Sequence, residues 1–237
     1  MLAARDRLIV ALDVSSAARA RQIVQSIGDA ANTYKVGKQL FTAEGPEIVR
    51  QLVSSGRKVF LDLKFHDIPT TVAAAVKQAA EMGISMLTVH ASGGAKMLKA
   101  AADCAAQSDS RPTVLAVTVL TSLTDADLRE LGMPGTVLTQ VLRMGSLALS
   151  AGCGGLVASA HEARELRRKL GEKFIIVTPG VRPAGSGAGD QARVLTPREA
   201  VDAGSTYLVV GRPILAATDP AEAAKRITRE METEVTV

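Results

Sequence analysis

Three charged side chains stand within six residues in Asp62-Leu63-Lys64-Phe65-His66-Asp67. An ammonium group flanked by carboxylates can stabilise negative charge forming on a neighbouring atom and then give that atom a proton. Burying charge costs several kcal/mol, roughly, unless the charge is paired, so a cluster like this at the end of an apolar run implies a task. The run itself is Val59-Phe60-Leu61-Asp62-Leu63-Lys64. On an extended backbone Val59, Leu61 and Leu63 point one way and Phe60, Asp62 and Lys64 the other. Asp62 and Lys64 therefore share a face, and Asp67 falls just past the strand end. Pro69 has no N–H for a ladder and marks the turn into a helix.

More polar residues fall where other apolar runs stop. Asp13 ends the run Leu8-Ile9-Val10-Ala11-Leu12-Asp13, and Thr121-Ser122 follows the run from Thr113 to Leu120. Pro179-Gly180-Val181-Arg182 follows Phe174 to Thr178, and Tyr207 to Gly211 leads into Arg212. The last two junctions suit a phosphate. The segment from Pro179 to Gln191 is long, has four glycines and offers Arg182 and Gln191 as donors. Long loops without regular structure are uncommon unless they clamp or cover a ligand. Gly211-Arg212 joins bare backbone to a guanidinium, whose fork matches phosphate oxygens in pairs. Plainer roles are also open locally: Asp13 with Ser15 and Ser16 could cap the first helix, and Asp67 the helix that Pro69 opens. Thr124 with Asp127 reads as an ordinary capping box. His66 suits a structural hydrogen bond, His90 the shaping of the site mouth or a subunit contact, and His161 a helix surface. Cys104 and Cys153 lack a visible activating partner and read as packing.

The elements that must position these groups alternate. The apolar runs number eight once Tyr34 to Gly37, Met86 to His90 and Gly155 to Ser159 are added, and Ala-rich stretches of helical spacing separate them. Val72, Val76, Ala79 and Ala80 form one such helical stripe; Val137, Val141, Leu142 and Leu149 form another. Without a linker, repeat or low-complexity stretch, this order predicts an α/β fold, a single (β/α)8 TIM barrel over residues 1–237. An open doubly wound sheet is the rival, yet no G-x-G-x-x-G follows the first strand. In a (β/α)8 barrel the loops at the carboxyl ends of the strands make the active site, with phosphate held after strands seven and eight.

Composition narrows the function classes. The chain has 237 residues, 47% of them hydrophobic, enough for a barrel core. Aromatic residues are only 3%, with no Trp, which removes the stacking platforms of a single-strand nucleic-acid binder. A net charge of +4 without dense Lys/Arg runs suits an anionic small molecule. Two isolated cysteines make neither a disulfide framework nor a zinc site. No run has membrane-spanning length or signal-peptide pattern. A soluble, reduced, cytoplasmic protein with no nucleic-acid or membrane partner is expected.

The stretch Phe60-Leu61-Asp62-Leu63-Lys64-Phe65-His66-Asp67-Ile68-Pro69 resembles the signature of the orotidine 5'-phosphate decarboxylase family. Further matches follow in order: Val10 to Asp13, Lys35-Val36-Gly37-Lys38, Val89 to Gly94, Thr118 to Ser122, Thr178 to Pro183, Gly189-Asp190-Gln191 and Val210 to Pro213. D-x-K-x-x-D alone is weak; the ordered set is specific. Asp125 to Ser150 and the tail after Asp219 match in pattern only.

The resemblance implies decarboxylation of orotidine 5'-phosphate to uridine 5'-phosphate in pyrimidine biosynthesis, by a homodimer, with no cofactor and no metal. Lys64 would protonate C6 of the pyrimidine, Asp62 would face the departing carboxylate, and Lys35 would complete an alternating charge array. By spacing Lys38 competes with Lys35; only the family match selects Lys35. Asp67, Ile68 and Thr71 would reach across a two-fold interface into the neighbour's site. Asp13 would hold ribose hydroxyls, Thr121 the pyrimidine region, and Arg182, Gln191, Gly211 and Arg212 the phosphate. Two functions compete. A sugar-phosphate decarboxylase or aldolase on a related barrel has a similar D-x-K-x-x-D strand but needs an acidic metal ligand near the end of the second strand. Gly37-Lys38-Gln39-Leu40 stands there, so a divalent cation would be poorly held. A non-catalytic phosphate-ligand sensor would use Arg182 and Arg212 but has no use for a buried Lys64.

Overall fold

The computed structural model describes residues 2–183 and 195–232. Eight parallel strands close into a barrel in sequence order, with the first paired to the last. They are β1 (Leu8–Ala11), β2 (Thr33–Gly37), β3 (Lys58–Phe65), β4 (Met86–His90), β5 (Thr113–Val117), β6 (Gly155–Val157), β7 (Ile175–Pro179) and β8 (Tyr207–Val210). Parallel neighbours need a crossover, and helices on the outside supply it. Among the described residues no helix is long and apolar enough to cross a membrane.

Side-chain alternation divides the core in two. Ile9, Ala11, Phe60, Met86, Leu115, Val177 and Val209 fill the barrel interior. Their neighbours Val10, Leu61, Leu87 and Leu208 face outward and pack under the helices. The helical stripes are where spacing put them. Val72, Val76, Ala79 and Ala80 are all buried in the helix Pro69–Glu81, which Pro69 opens, and Val137 and Val141 are buried in Val137–Ser150. Ser16, rather than Asp13, caps Ala17–Ile27 by accepting the Arg19 N–H. Asp67 does not cap Pro69–Glu81; its carboxylate accepts the N–H of Ile68 at 2.6 Å. Thr124 and Asp127 do form the capping box at Asp125–Glu130.

Several strands stop before their apolar runs do. β1 ends at Ala11 instead of Asp13, β5 at Val117 instead of Leu120, β6 at Val157 instead of Ser159, and β8 at Val210 instead of Gly211. Leu12, Val119 and Ala158 are nonetheless buried, so their hydrophobicity serves packing beyond the ladder. β3 departs from regularity where it matters most. Leu61 pairs with Leu87 but Phe65 pairs with Val89, so four residues of β3 advance against two of β4. Lys64 lies inside this bulge with φ 55°, a left-handed backbone that costs a non-glycine residue on the order of 1–3 kcal/mol.

Candidate active site

At the carboxyl end of the barrel the inward positions change from apolar to charged. Ala11, Phe60, Val117, Val157, Val177 and Val209 border a cavity of about 290 Å³, at the small end of ligand pockets. Asp13, Lys35, Asp62, Lys64, Thr121, Arg182, Gly211 and Arg212 also line it.

The charged groups on β1, β2 and β3 form a chain of alternating sign. Lys64 Nζ lies 2.8 Å from Asp62 Oδ1, and Lys35 Nζ lies 3.8 Å from Asp62 Oδ2 and 2.9 Å from Asp13 Oδ1. The side chains of Lys35 and Asp62 are only 12% and 13% exposed, so water screens their attraction less than it would a surface pair. Asp13 is at the wet end of the chain. Gly37 makes room for it: a Cβ there would sit 2.8 Å from Lys35 Nζ and 3.4 Å from Asp13 Oδ1. Lys38, by contrast, opens the helix Lys38–Glu44, is exposed, and does not line the cavity. Geometry thus separates the two lysines that spacing left undecided.

Behind Asp62 stands a residue that the sequence reading missed. Thr88 on β4 is completely buried. Its hydroxyl accepts the backbone N–H of Lys64 at 2.9 Å and donates to Asp62 Oδ1 at 3.0 Å. The available signal was its phase: Thr88 shares the inward face of β4 with Met86 and His90, where an isolated hydroxyl needs a partner.

Across the mouth from β3, the β7 and β8 loops bring two guanidinium groups to the cavity. Arg182 is 8% exposed; its Nη1 donates to the Val181 carbonyl and its backbone N–H to the Leu195 carbonyl at 3.1 Å. Arg212 is exposed at the start of the short helix Arg212–Leu215, directly after Gly211. Gln191 lies outside the described residues. Asp67, Ile68 and Thr71 are exposed and do not line the cavity of their own chain, Ile68 being 64% exposed.

The ring centroids of His66 and His90 are 5.3 Å apart. Burial, then the positive charges of His66, Lys38 and Lys64, push the His90 pKa below its ordinary 6.5, against an opposing pull from Asp62. Burial pushes the Cys153 thiol up to about 12, in keeping with a packing role. His161 is exposed on the helix Ala160–Leu170. Among the described residues no three His, Cys, Asp or Glu side chains gather as a metal site would require.

Known proteins share this arrangement of sequence and fold. The sequence profile of the Orotidine 5'-phosphate decarboxylase / HUMPS family matches residues 6–227. The orotidine 5'-phosphate decarboxylase of Idiomarina loihiensis is 50% identical over 221 residues, covering 93% of this chain and 96% of that protein. That of Heliobacterium modesticaldum is 50% identical over 234 residues, covering 96% of each. The crystal structure of orotidine 5'-phosphate decarboxylase from Lactobacillus acidophilus superposes with a TM-score of 0.86 at 38% identity, covering 96% of this chain and 100% of that one.

Proposed function

The chain belongs to the orotidine 5'-phosphate decarboxylase / HUMPS family, and from that premise we propose how its residues divide the work. The protein is a carboxy-lyase that converts orotidine 5'-phosphate to uridine 5'-phosphate and carbon dioxide in pyrimidine biosynthesis. Loss of carbon dioxide breaks the bond to C6 and leaves its electron pair on an sp2 ring carbon, with no adjacent carbonyl to spread the charge. Lys64 answers that problem twice. Its ammonium stabilises the pair as it forms and then delivers the proton that completes C6–H. Asp62 orients the ammonium and faces the leaving carboxylate, a like-charge contact that disappears as carbon dioxide departs. Lys35 and Asp13 continue the array to the ribose hydroxyls, and Thr121 lies against the pyrimidine. Arg182, Gln191, Gly211 and Arg212 hold the phosphate, so that binding far from C6 helps to fix the ring over Lys64.

The observation that carries this assignment is the alternating chain Asp13, Lys35, Asp62, Lys64 facing two arginines across one cavity. Asp67, Ile68 and Thr71 complete the site of a second copy in a homodimer; their exposure, clear of their own cavity, supports this. Residues 1–237 act as one catalytic domain in the cytoplasm, without a metal.

The test follows the ultraviolet absorbance of orotidine 5'-phosphate in metal-free buffer with a chelator. Turnover should persist. Loss of activity that magnesium restores would point to metal-bound enediolate chemistry, and binding without turnover to a sensor. Lys64→Ala should lower kcat by at least about 10^3-fold while uridine 5'-phosphate still binds. Arg212→Ala should raise KM by about 10- to 100-fold, the loss of a charge-assisted phosphate contact. An unchanged KM would remove Arg212 from the phosphate site.

A further inference from the structure

We propose that Thr88 is a positioning residue for the proton transfer, its single hydroxyl fixing both the backbone of Lys64 and the carboxylate of Asp62. The proposal rests on Lys64 being the proton donor. Thr88 does not line the cavity and is completely buried, so it acts through others. A hydroxyl has one proton and two lone pairs. Because Oγ1 accepts the Lys64 N–H at 2.9 Å, its own proton is available for Asp62 Oδ1 at 3.0 Å. The same Oδ1 takes the Lys64 ammonium at 2.8 Å. Backbone and side chain of Lys64 are thereby held to one anchor on β4.

The bulge explains why an anchor is needed. In a regular strand N–H groups alternate between the two neighbours. Because the Lys58 N–H meets the Asn32 carbonyl just before β2, the Lys64 N–H six residues on would also face β2 rather than β4. Between the Leu61–Leu87 and Phe65–Val89 pairs the register with β4 is broken, and the Thr88 hydroxyl takes the N–H instead. A non-glycine residue at φ 55° keeps that conformation only where its surroundings over-determine it. Without the hydroxyl, a half-buried N–H and a carboxylate oxygen lose a partner together, the backbone can relax toward an extended conformation, and the ammonium moves with it. A displacement near 1 Å at a reacting group can cost about 100-fold in rate.

The experiment compares Thr88→Val, which keeps the shape and removes the hydroxyl, with Thr88→Ser, which keeps the hydroxyl and removes the methyl group. Thr88→Val should lose about 10- to 100-fold in kcat with KM within about threefold of wild type, because ribose and phosphate contacts are untouched. Thr88→Ser should stay within about threefold of wild-type kcat. Wild-type kcat in Thr88→Val, or an equal loss in Thr88→Ser, would overturn the proposal, as would a loss confined to KM. If Thr88→Val does not fold, Thr88→Cys, a weak donor of similar size, takes its place with the same expectation. Failure of both to fold while Thr88→Ser folds would assign the hydroxyl to stability alone and also overturn it. Full activity in Lys64→Ala is a different failure, of the proton-donor assignment itself.

Discussion

His90 stands where three positive charges oppose a fourth. Its pKa is lowered in the folded protein by burial first, then by His66, Lys38 and Lys64. A base whose folded pKa lies below its unfolded value resists a proton that the unfolded chain accepts. The contribution of His90 to stability is therefore full above 6.5, falls as pH drops from there toward the lower folded value, and changes no further below it. Removing the imidazole should flatten that fall. Thermal unfolding of His90→Gln is expected to change less between about pH 7.5 and 5.5 than that of the wild type. Equal slopes would mean that the acid sensitivity comes from elsewhere. At this scale the sequence was most readable in charge and least readable in geometry. Asp62 and Lys64 could be placed on one face from alternation alone, whereas Lys35 and Lys38 could not be told apart beside a strand end. The left-handed backbone of Lys64 was illegible, since it depends on a hydroxyl 24 positions away.

The strands were legible as a set of eight, because aliphatic and β-branched runs recur between helical stripes. Their ends were not. Burial under helices continues past the last ladder pair at Leu12, Val119 and Ala158, and hydrophobicity reports burial rather than pairing. β6 shows what position can demand in addition. Gly155 pairs with Leu115 and Ile175, and a Cβ on it would lie 2.4 Å from the Ile175 carbonyl oxygen and 2.8 Å from Leu115 Cδ2. Backbone cannot yield as a flexible side chain does, so Gly155→Ala should destabilise by about 1–3 kcal/mol. For a chain of this size that is a Tm lower by about 2–4 °C for each kcal/mol. Calorimetry showing an unchanged Tm would mean that β6 and β7 can separate without cost.

At the scale of the molecule, the acidic neighbour Asp67 is exposed and away from its own cavity, so the proposed dimer makes a distinct demand. Asp62→Ala and Asp67→Ala proteins should each be inactive. After mixing and subunit exchange, a heterodimer carries both substitutions in one site and neither in the other. Random exchange should restore about a quarter of wild-type activity, since half the dimers then hold one intact site of two. No recovery after exchange has been verified by mass would place Asp67 outside the partner's site. The resemblance named these residues, whereas the fold of one chain offered only their exposure.

Ala11, Phe60, Val177 and Val209 belong both to the interior plug of the barrel and to the cavity border. On the proposed function, heat tolerance and room for the nucleotide therefore compete for one volume. Enlarging Ala11 to tighten the plug would shrink that cavity, and a variant selected only for survival at high temperature would be expected to offer a shallower seat for its nucleotide.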